Sequence, residues 1–219
     1  YKIDRGDVVL EEEELRSKYI KPFKESIKMG VGSIMVSYNS WKSQKLHGHK
    51  YLINDVLKKE LKFDGIVVSD WAGINELNKD YKTCIIQSIN AGIDMNMVPG
   101  SLNPDDNSYD DFIRLAIEAV KEGSIPMERI DDAVSRILRI KKKIGLFDNP
   151  IKKPKNTDVV GSKKHRDLAR KSVRKSLVLL KNENQILPLQ KNNSKITLVG
   201  EHADNIGYQS GGWTIHWQG

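Results

Sequence analysis

Hydrophobic and polar positions alternate with two periods along this chain. Residues 10–29 read as a helix, with Glu11 to Glu14 near its positive N-terminal end and Gly30 as its stop. Residues 32–38 then read as a short buried strand. Leu52, Val56 and Leu57 fall at helical spacing within 51–61, and the β-branched run Ile66-Val67-Val68 that follows is too short for a helix. The alternation continues with a helix over 81–91, stopped by Gly92, and a strand over 93–98 that Pro99 terminates. Phe112, Leu115, Ala116, Ala119 and Val120 lie on one helical stripe that Gly123 ends. Pro126 suits the first turn of another helix, whose stripe is Ile130, Val134, Ile137 and Ile144 before Gly145.

Each strand is followed by a helix that returns the chain for a parallel neighbour, so the fold class is α/β. Spacing leaves an open sheet and a barrel equally possible. Three strands precede Gly145, too few for a closed eight-stranded barrel from this chain alone. The pattern breaks over 147–161, where Asp148, Asn149, Pro150, Pro154 and Asn156 read as a linker. A second unit over 162–219 begins with a helix capped by Ser162 and reaching about Ser176. Strands over 177–180 and 196–199 are expected after it, and there is no internal repeat.

Composition narrows the class. No apolar run approaches the ~20 residues of a membrane span, and no basic-then-apolar leader opens the sequence. Cys84 is the single cysteine, which excludes an intrachain disulfide framework and a cysteine-based zinc cluster. Asn192-Asn193-Ser194 is one glycosylation sequon, too short a signal to fix the compartment. The net charge of +7 is concentrated: residues 151–182 hold eleven Lys and Arg against two Asp, a local +9, and the rest sums to −2. That run reads as a solvated linker and outer helix face. It lacks the interleaved aromatics of a nucleic-acid surface, and no nucleic-acid partner is expected.

Residues just past a strand's C-terminal end lie where active sites of parallel α/β proteins assemble. Asp70 has that position, and Asp94 is a rival that spacing does not eliminate; Asp70 reads equally as a cap or as a partner for its own loop. Trp71 beside Asp70 offers a ring face for the C–H patches of a sugar, or a core side chain. Tyr38 and Trp41 carry the same two readings. Gly211-Gly212-Trp213 through Trp217 places two tryptophans four apart after a glycine pair, for ligand stacking or for sealing two units together. His47 and His49, and Glu201, His202 and Asp204, lack the spacing of a zinc-hydrolase motif, so the histidines read as surface or hydrogen-bonded groups and no metal site is expected. Gly200 lacks a dinucleotide-loop pattern.

Lys62 to Trp71 (KFDGIVVSDW), Ala91-Gly92-Ile93-Asp94-Met95, Arg129 to Val134 (RIDDAV), Ser176 to Asn182 (SLVLLKN) and Gly211 to Ile215 (GGWTI) together resemble glycoside hydrolase family 3, the two-domain exo-β-glucanase and β-glucosidase type. The resemblance implies that 1–146 is the C-terminal portion of a (β/α)8 catalytic barrel, 147–161 a linker and 162–219 the beginning of an α/β sandwich domain. It also implies Asp70 as nucleophile, which separates it from Asp94, with Trp71 and Trp213 as walls clamping a sugar and Tyr38 as a hydroxyl close to the nucleophile. The acid/base is expected outside this chain, as are the early-barrel groups that hold the terminal sugar. Asn75-Glu76 replaces an acidic-basic pair often found near the leaving-group subsite.

The implied activity is retaining, exo-acting β-glucosidase or β-glucan glucohydrolase chemistry through a glycosyl-Asp70 intermediate, with no cofactor and a β-glucoside or β-glucan oligosaccharide as substrate. Its other partner would be the remaining barrel and sandwich sequence, and a secreted, periplasmic or cell-wall location is implied. A truncated, catalytically inactive carbohydrate-binding or structural remnant is the alternative, separated from the first reading by the intact mass of the source protein.

Overall fold

The computed structural model describes residues 4–100, 107–150, 157–191 and 195–210. The chain divides into two units, Tyr1–Lys153 and Pro154–Gly219.

In the first unit, strand β1 (Asp7–Val8) leads into a helical stretch built from α1 (Glu12–Glu14), wide turns over Leu15–Ile20, and α2 (Lys21–Lys28). The expected single helix is therefore interrupted. Pro22 supplies a reason: its ring has no N–H and crowds the carbonyl four residues earlier, so the turns before it widen. Gly30 ends the stretch at φ 81°.

Strand β2 (Ser33–Met35) follows, shorter than the expected 32–38 and not buried, since Met35 is 50% exposed. Among the described residues β2 has one ladder neighbour, β5 (Ile66–Val68), which pairs with it in parallel through Ser33↔Ile66, Ile34↔Val67 and Met35↔Val68. Between them lie a hairpin of β3 (Ser40–Trp41) and β4 (Gln44–Lys45), with β3 also parallel to β1, and a helix of wide turns over Tyr51–Glu60. The hairpin was not legible in the pattern. Its turn residues Lys42 and Ser43 both have positive φ, a geometry normally announced by Asn-Gly, and Asp7 secures it by accepting the Ser43 N–H at 2.9 Å.

Helix α3 (Tyr81–Ala91) has the expected limits. The Asp80 side chain accepts the Thr83 N–H at 2.8 Å, and Gly92 closes the helix at φ 117°. The expected strand over 93–98 reduces to a single parallel bridge, Met95 to Val68. Other groups take the positions a ladder would use: Asp94 N–H and Met95 N–H both donate to Val67 O, Met97 N–H donates to Ser69 Oγ, and Ala72 N–H donates to Met97 O.

Helix α4 (Tyr109–Lys121) starts with a capping box between Ser108 and Asp111, and its stripe meets the core, with Ala119 buried and Phe112, Leu115, Ala116 and Val120 packed against it. The core is filled by Val67, Ile85, Ile93, Phe63, Cys84 and Ile125, each at most 1% exposed. Helix α5 (Met127–Lys143) corrects the expected stripe: Val134 and Ile144 are exposed, while Ala133 and Ile130 face inward. Arg129, Asp132 and Arg136 occupy much of the inner face through ion pairs.

In the second unit, Ser162 accepts the His165 N–H at 3.4 Å at the start of α6 (Lys163–Ser176), as expected. A short α7 (Ile206–Ser210) comes later. The strands expected over 177–180 and 196–199 are absent among the described residues; an apolar run becomes a strand only where a partner satisfies its backbone, and none is described there.

Candidate active site

Strand β5 is buried at Ile66 and Val67, and the chain emerges from it at Ser69-Asp70-Trp71. The turn that follows is held on several sides. Ser69 N–H donates to Met95 O at 2.9 Å, and the Ser69 hydroxyl donates to Asp70 O at 3.0 Å. Gly73 N–H also donates to Asp70 O, at 3.0 Å, and Asp70 N–H donates to His47 Nε2 at 3.0 Å. Ala72 takes left-handed backbone at φ 51° to close the turn, and Gly73 beside it is buried so tightly that an added Cβ would overlap the His47 ring.

The Asp70 side chain is half-buried, and its Oδ1 accepts the Trp71 N–H at 2.7 Å. Asp70 does not cap the short helical turn Gly73–Glu76, whose cap residue is Ala72. Asp94 sits very differently. Its side chain is 0% exposed; Oδ1 meets Lys58 Nζ at 2.7 Å and also Arg129, while Oδ2 accepts the Val67 N–H at 2.9 Å. Every one of those partners is a fixed donor inside the protein, so Asp94 serves as a structural counter-ion.

Trp71 is 58% exposed, which leaves its indole open to a ligand. Tyr38 donates its hydroxyl to Trp71 O, and the Arg5 guanidinium lies 4.1 Å over the Tyr38 ring. Burial raises the Tyr38 phenol above its ordinary range, and the negative charge of Asp70 adds to that. Tyr38 and Trp71 therefore meet beside Asp70. Trp41 does not join them: it is buried, donates its indole N–H to Leu10 O at 2.9 Å and stacks on His49, with centroids 5.5 Å apart. Trp213 and Trp217 lie outside the described residues, as does the sequon over 192–194.

Two residues around Asp70 have partners that the sequence pattern does not foretell. One is His47, 1% exposed and bonded to the Asp70 backbone; burial holds its imidazole down to about 4, against the opposing charges of Asp70 and Glu76. The other is Glu76, which binds Lys45 at 2.6 Å and Arg5 at 2.8 Å. Burial works to raise the Glu76 carboxyl, but the hydrogen bonds from Lys45 and Arg5 outweigh it and leave the group below its ordinary range. Lys45 also donates to Tyr38 O at 3.0 Å, tying this charged cluster to the aromatic side of the site. The sequence Leu46-His47-Gly48-His49 carries no sign of a partner 23 residues away. Among the described residues no three His, Cys, Asp or Glu side chains converge as metal ligands, and no helix is long and apolar enough to cross a membrane.

This geometry defines an α/β protein whose strand-end loop presents a half-buried carboxylate beside an open indole. The chain belongs to glycosyl hydrolase family 3: residues 3–140 match the N-terminal domain of that family and 177–219 its C-terminal domain. It is 37% identical to the lysosomal beta glucosidase of Dictyostelium discoideum, an alignment covering 99% of this chain and 27% of that protein. It is 34% identical to the periplasmic beta-glucosidase of Salmonella typhimurium, over 94% of this chain and 27% of that one. Among solved structures, an exo-1,3/1,4-beta-glucanase from a Pseudoalteromonas species is similar with a TM-score of 0.80 and 40% identity, covering 98% of this chain and 26% of the other. The chain thus spans about a quarter of the length of these relatives.

Proposed function

We propose that this chain supplies the nucleophile of a retaining, exo-acting β-glucosidase or β-glucan glucohydrolase site. In this reading the Asp70 carboxylate attacks the anomeric carbon of a terminal β-D-glucosyl unit. A carboxylic acid outside this chain protonates the departing oxygen. Water, deprotonated by that same group, then hydrolyses the glycosyl-Asp70 ester, so configuration is retained. The two carboxyl groups need to stand about 5–5.5 Å apart for this chemistry.

The observation that carries the proposal is the contrast between the two strand-end carboxylates: Asp70 is half-buried beside an exposed Trp71, whereas Asp94 has no exposed side-chain surface. Trp71 would stack on one face of the sugar and Trp213 on the other, and Tyr38 would place its hydroxyl near the nucleophile. The domain reading belongs to the same proposal: 1–146 as part of the (β/α)8 barrel, 147–161 as linker, 162–219 as the beginning of the sandwich. The names of the relatives above, two beta-glucosidases and an exo-1,3/1,4-beta-glucanase, support a β-glucoside or β-glucan substrate. One relative is named periplasmic and another lysosomal, which supports a location outside the cytosol.

The test uses the natural protein that contains this chain, assayed on an aryl β-glucoside. Asp70→Asn is expected to abolish release of the aglycone while leaving the thermal unfolding transition in place. Unchanged turnover in that variant overturns the assignment. A natural protein that binds the glucoside but never releases aglycone would instead identify a carbohydrate-binding protein.

A further inference from the structure

Among the described residues, one side chain reaches the Asp70 backbone from outside the β5 loop and its Met95–Met97 partner. His47 sits in the short turn Leu46–Gly48, and its ring is inserted where Gly73 leaves space for it. The Nε2 atom accepts the Asp70 N–H. A nitrogen can accept only without its own proton, so the imidazole here is the neutral form protonated on Nδ1. The surroundings favour that form: burial disfavours the imidazolium, as does the nearby Lys45 ammonium, although Asp70 and Glu76 act in the other direction. The Tyr38 ring completes the enclosure, its centroid 5.9 Å from that of His47.

The consequence lies in two successive N–H groups. With the Asp70 N–H held by His47, the Trp71 N–H remains directed at Asp70 Oδ1. Loss of the His47 acceptor would free the first N–H to rotate with its peptide, and the carboxylate would leave the strand end in a different direction.

We infer that His47 is a positioning residue for Asp70: its neutral Nε2, seated against Gly73, holds the Asp70 N–H and so aims the carboxylate. This inference rests on Asp70 being the nucleophile. It predicts that the effect of His47 falls on the chemical step, because small displacements of a reacting group can cost about a hundredfold in rate.

The experiment compares His47→Leu, which removes the acceptor, with His47→Gln, whose side-chain oxygen can occupy the place of Nε2. Both are made in the natural protein containing this chain and assayed on an aryl β-glucoside. His47→Leu is expected to lower kcat by about 10- to 100-fold with KM nearly unchanged, and His47→Gln to restore most of the loss. Nitrogen-15 NMR of the unsubstituted protein at neutral pH should show Nε2 without a proton. This measurement decides the matter even where His47→Leu does not fold. An unchanged kcat in His47→Leu, a glutamine variant as slow as the leucine one, or a proton on Nε2 overturns the positioning role. A parallel trapping experiment with an activated 2-deoxy-2-fluoro-glucoside separates the two levels: a label on another residue removes the nucleophile reading and the inference with it. A label on Asp70 combined with unchanged kcat in His47→Leu overturns the positioning role alone.

Discussion

Replacing Asp94 by Asn changes one atom type in the most enclosed charge cluster of the described structure, and the consequence can be worked from its geometry. Three cations, Lys58, Arg129 and Arg136, surround two carboxylates, Asp94 and Asp132. The Lys58 side chain is 4% exposed, that of Arg129 13%, and that of Asp94 0%. Asn keeps the shape and still offers an oxygen to the Val67 N–H, so backbone satisfaction survives. What disappears is the counter-charge of two buried cations together with their acceptor, since the Asn NH2 takes the place of Oδ1 opposite Lys58 and Arg129, and the cluster's net charge rises from +1 to +2. Lys58 is the vulnerable member: burial already presses its ammonium below the ordinary lysine range, and Asp94 is the chief opposing influence. Removing one partner of a buried ion pair costs about 3–5 kcal/mol, whereas replacing both by apolar groups of similar volume is often neutral. Asp94→Asn is therefore expected to lower unfolding free energy by about 3–5 kcal/mol, and Lys58→Met in the same background to recover at least half of that. Urea denaturation of the natural protein, followed by circular dichroism, measures both. A loss below about 1 kcal/mol in the single variant, or no recovery in the double one, would refute the claim that uncompensated charge dominates here.

Two further outcomes concern the Asp70 turn. Gly73→Ala drives a Cβ into the His47 ring. It should cost about 1–3 kcal/mol in urea denaturation as an overpacked site, and a second substitution, His47→Ala, should relieve it; additive losses would show that the contact is not the cause. The pH dependence of stability follows from His47, whose folded value of about 4 lies below the ordinary 6.5. The unfolded chain then binds more protons between those values, so His47 stabilises the fold fully above about pH 6.5 and loses that contribution as pH falls toward 4. The difference amounts to about 2–3 kcal/mol between pH 7.5 and 4.5, and it should vanish in His47→Gln. Identical pH slopes for the two proteins would sink this reading.

Sequence pattern and structure agree where a local signal decides the outcome. Helix α3 needs only its punctuation, and Gly92, left-handed in the structure, stops it where the pattern placed the stop. The stripe of α4 is similarly self-contained. Agreement fails where a distant group replaces a local one. The run after Gly92 reads as a strand, but Ser69 Oγ and the Ala72 N–H take the bonds a neighbouring strand would have supplied to Met97. Helix α5 carries an apolar stripe, yet Arg129 and Arg136 turn inward to meet Asp94, Asp132 and the carbonyls of Phe63 and Ile93. No periodicity rule makes arginine an inward residue, because the rule counts hydrophobicity and not available partners.

The same distinction explains the site. Strand-end position is a local property and marks Asp70 and Trp71 in the sequence, whereas burial, which separates Asp94 from Asp70, is not. The cations that bury Asp94 come from Lys58 and Arg129, 36 and 35 residues away. Those bonds also act on the candidate nucleophile. Asp94 holds the Val67 N–H, Val67 lies three residues before Asp70, and the turn that follows Asp70 is held by His47 and the Gly73 N–H. Asp94 is thus a structural group, part of the frame that fixes where Asp70 leaves β5. Asp94→Asn should then shift the Asp70 backbone less than His47→Leu does, because Asn retains an oxygen for Val67 whereas Leu leaves the Asp70 N–H without its acceptor. Amide chemical shifts of residues 69–73 in the two variants rank these two constraints directly.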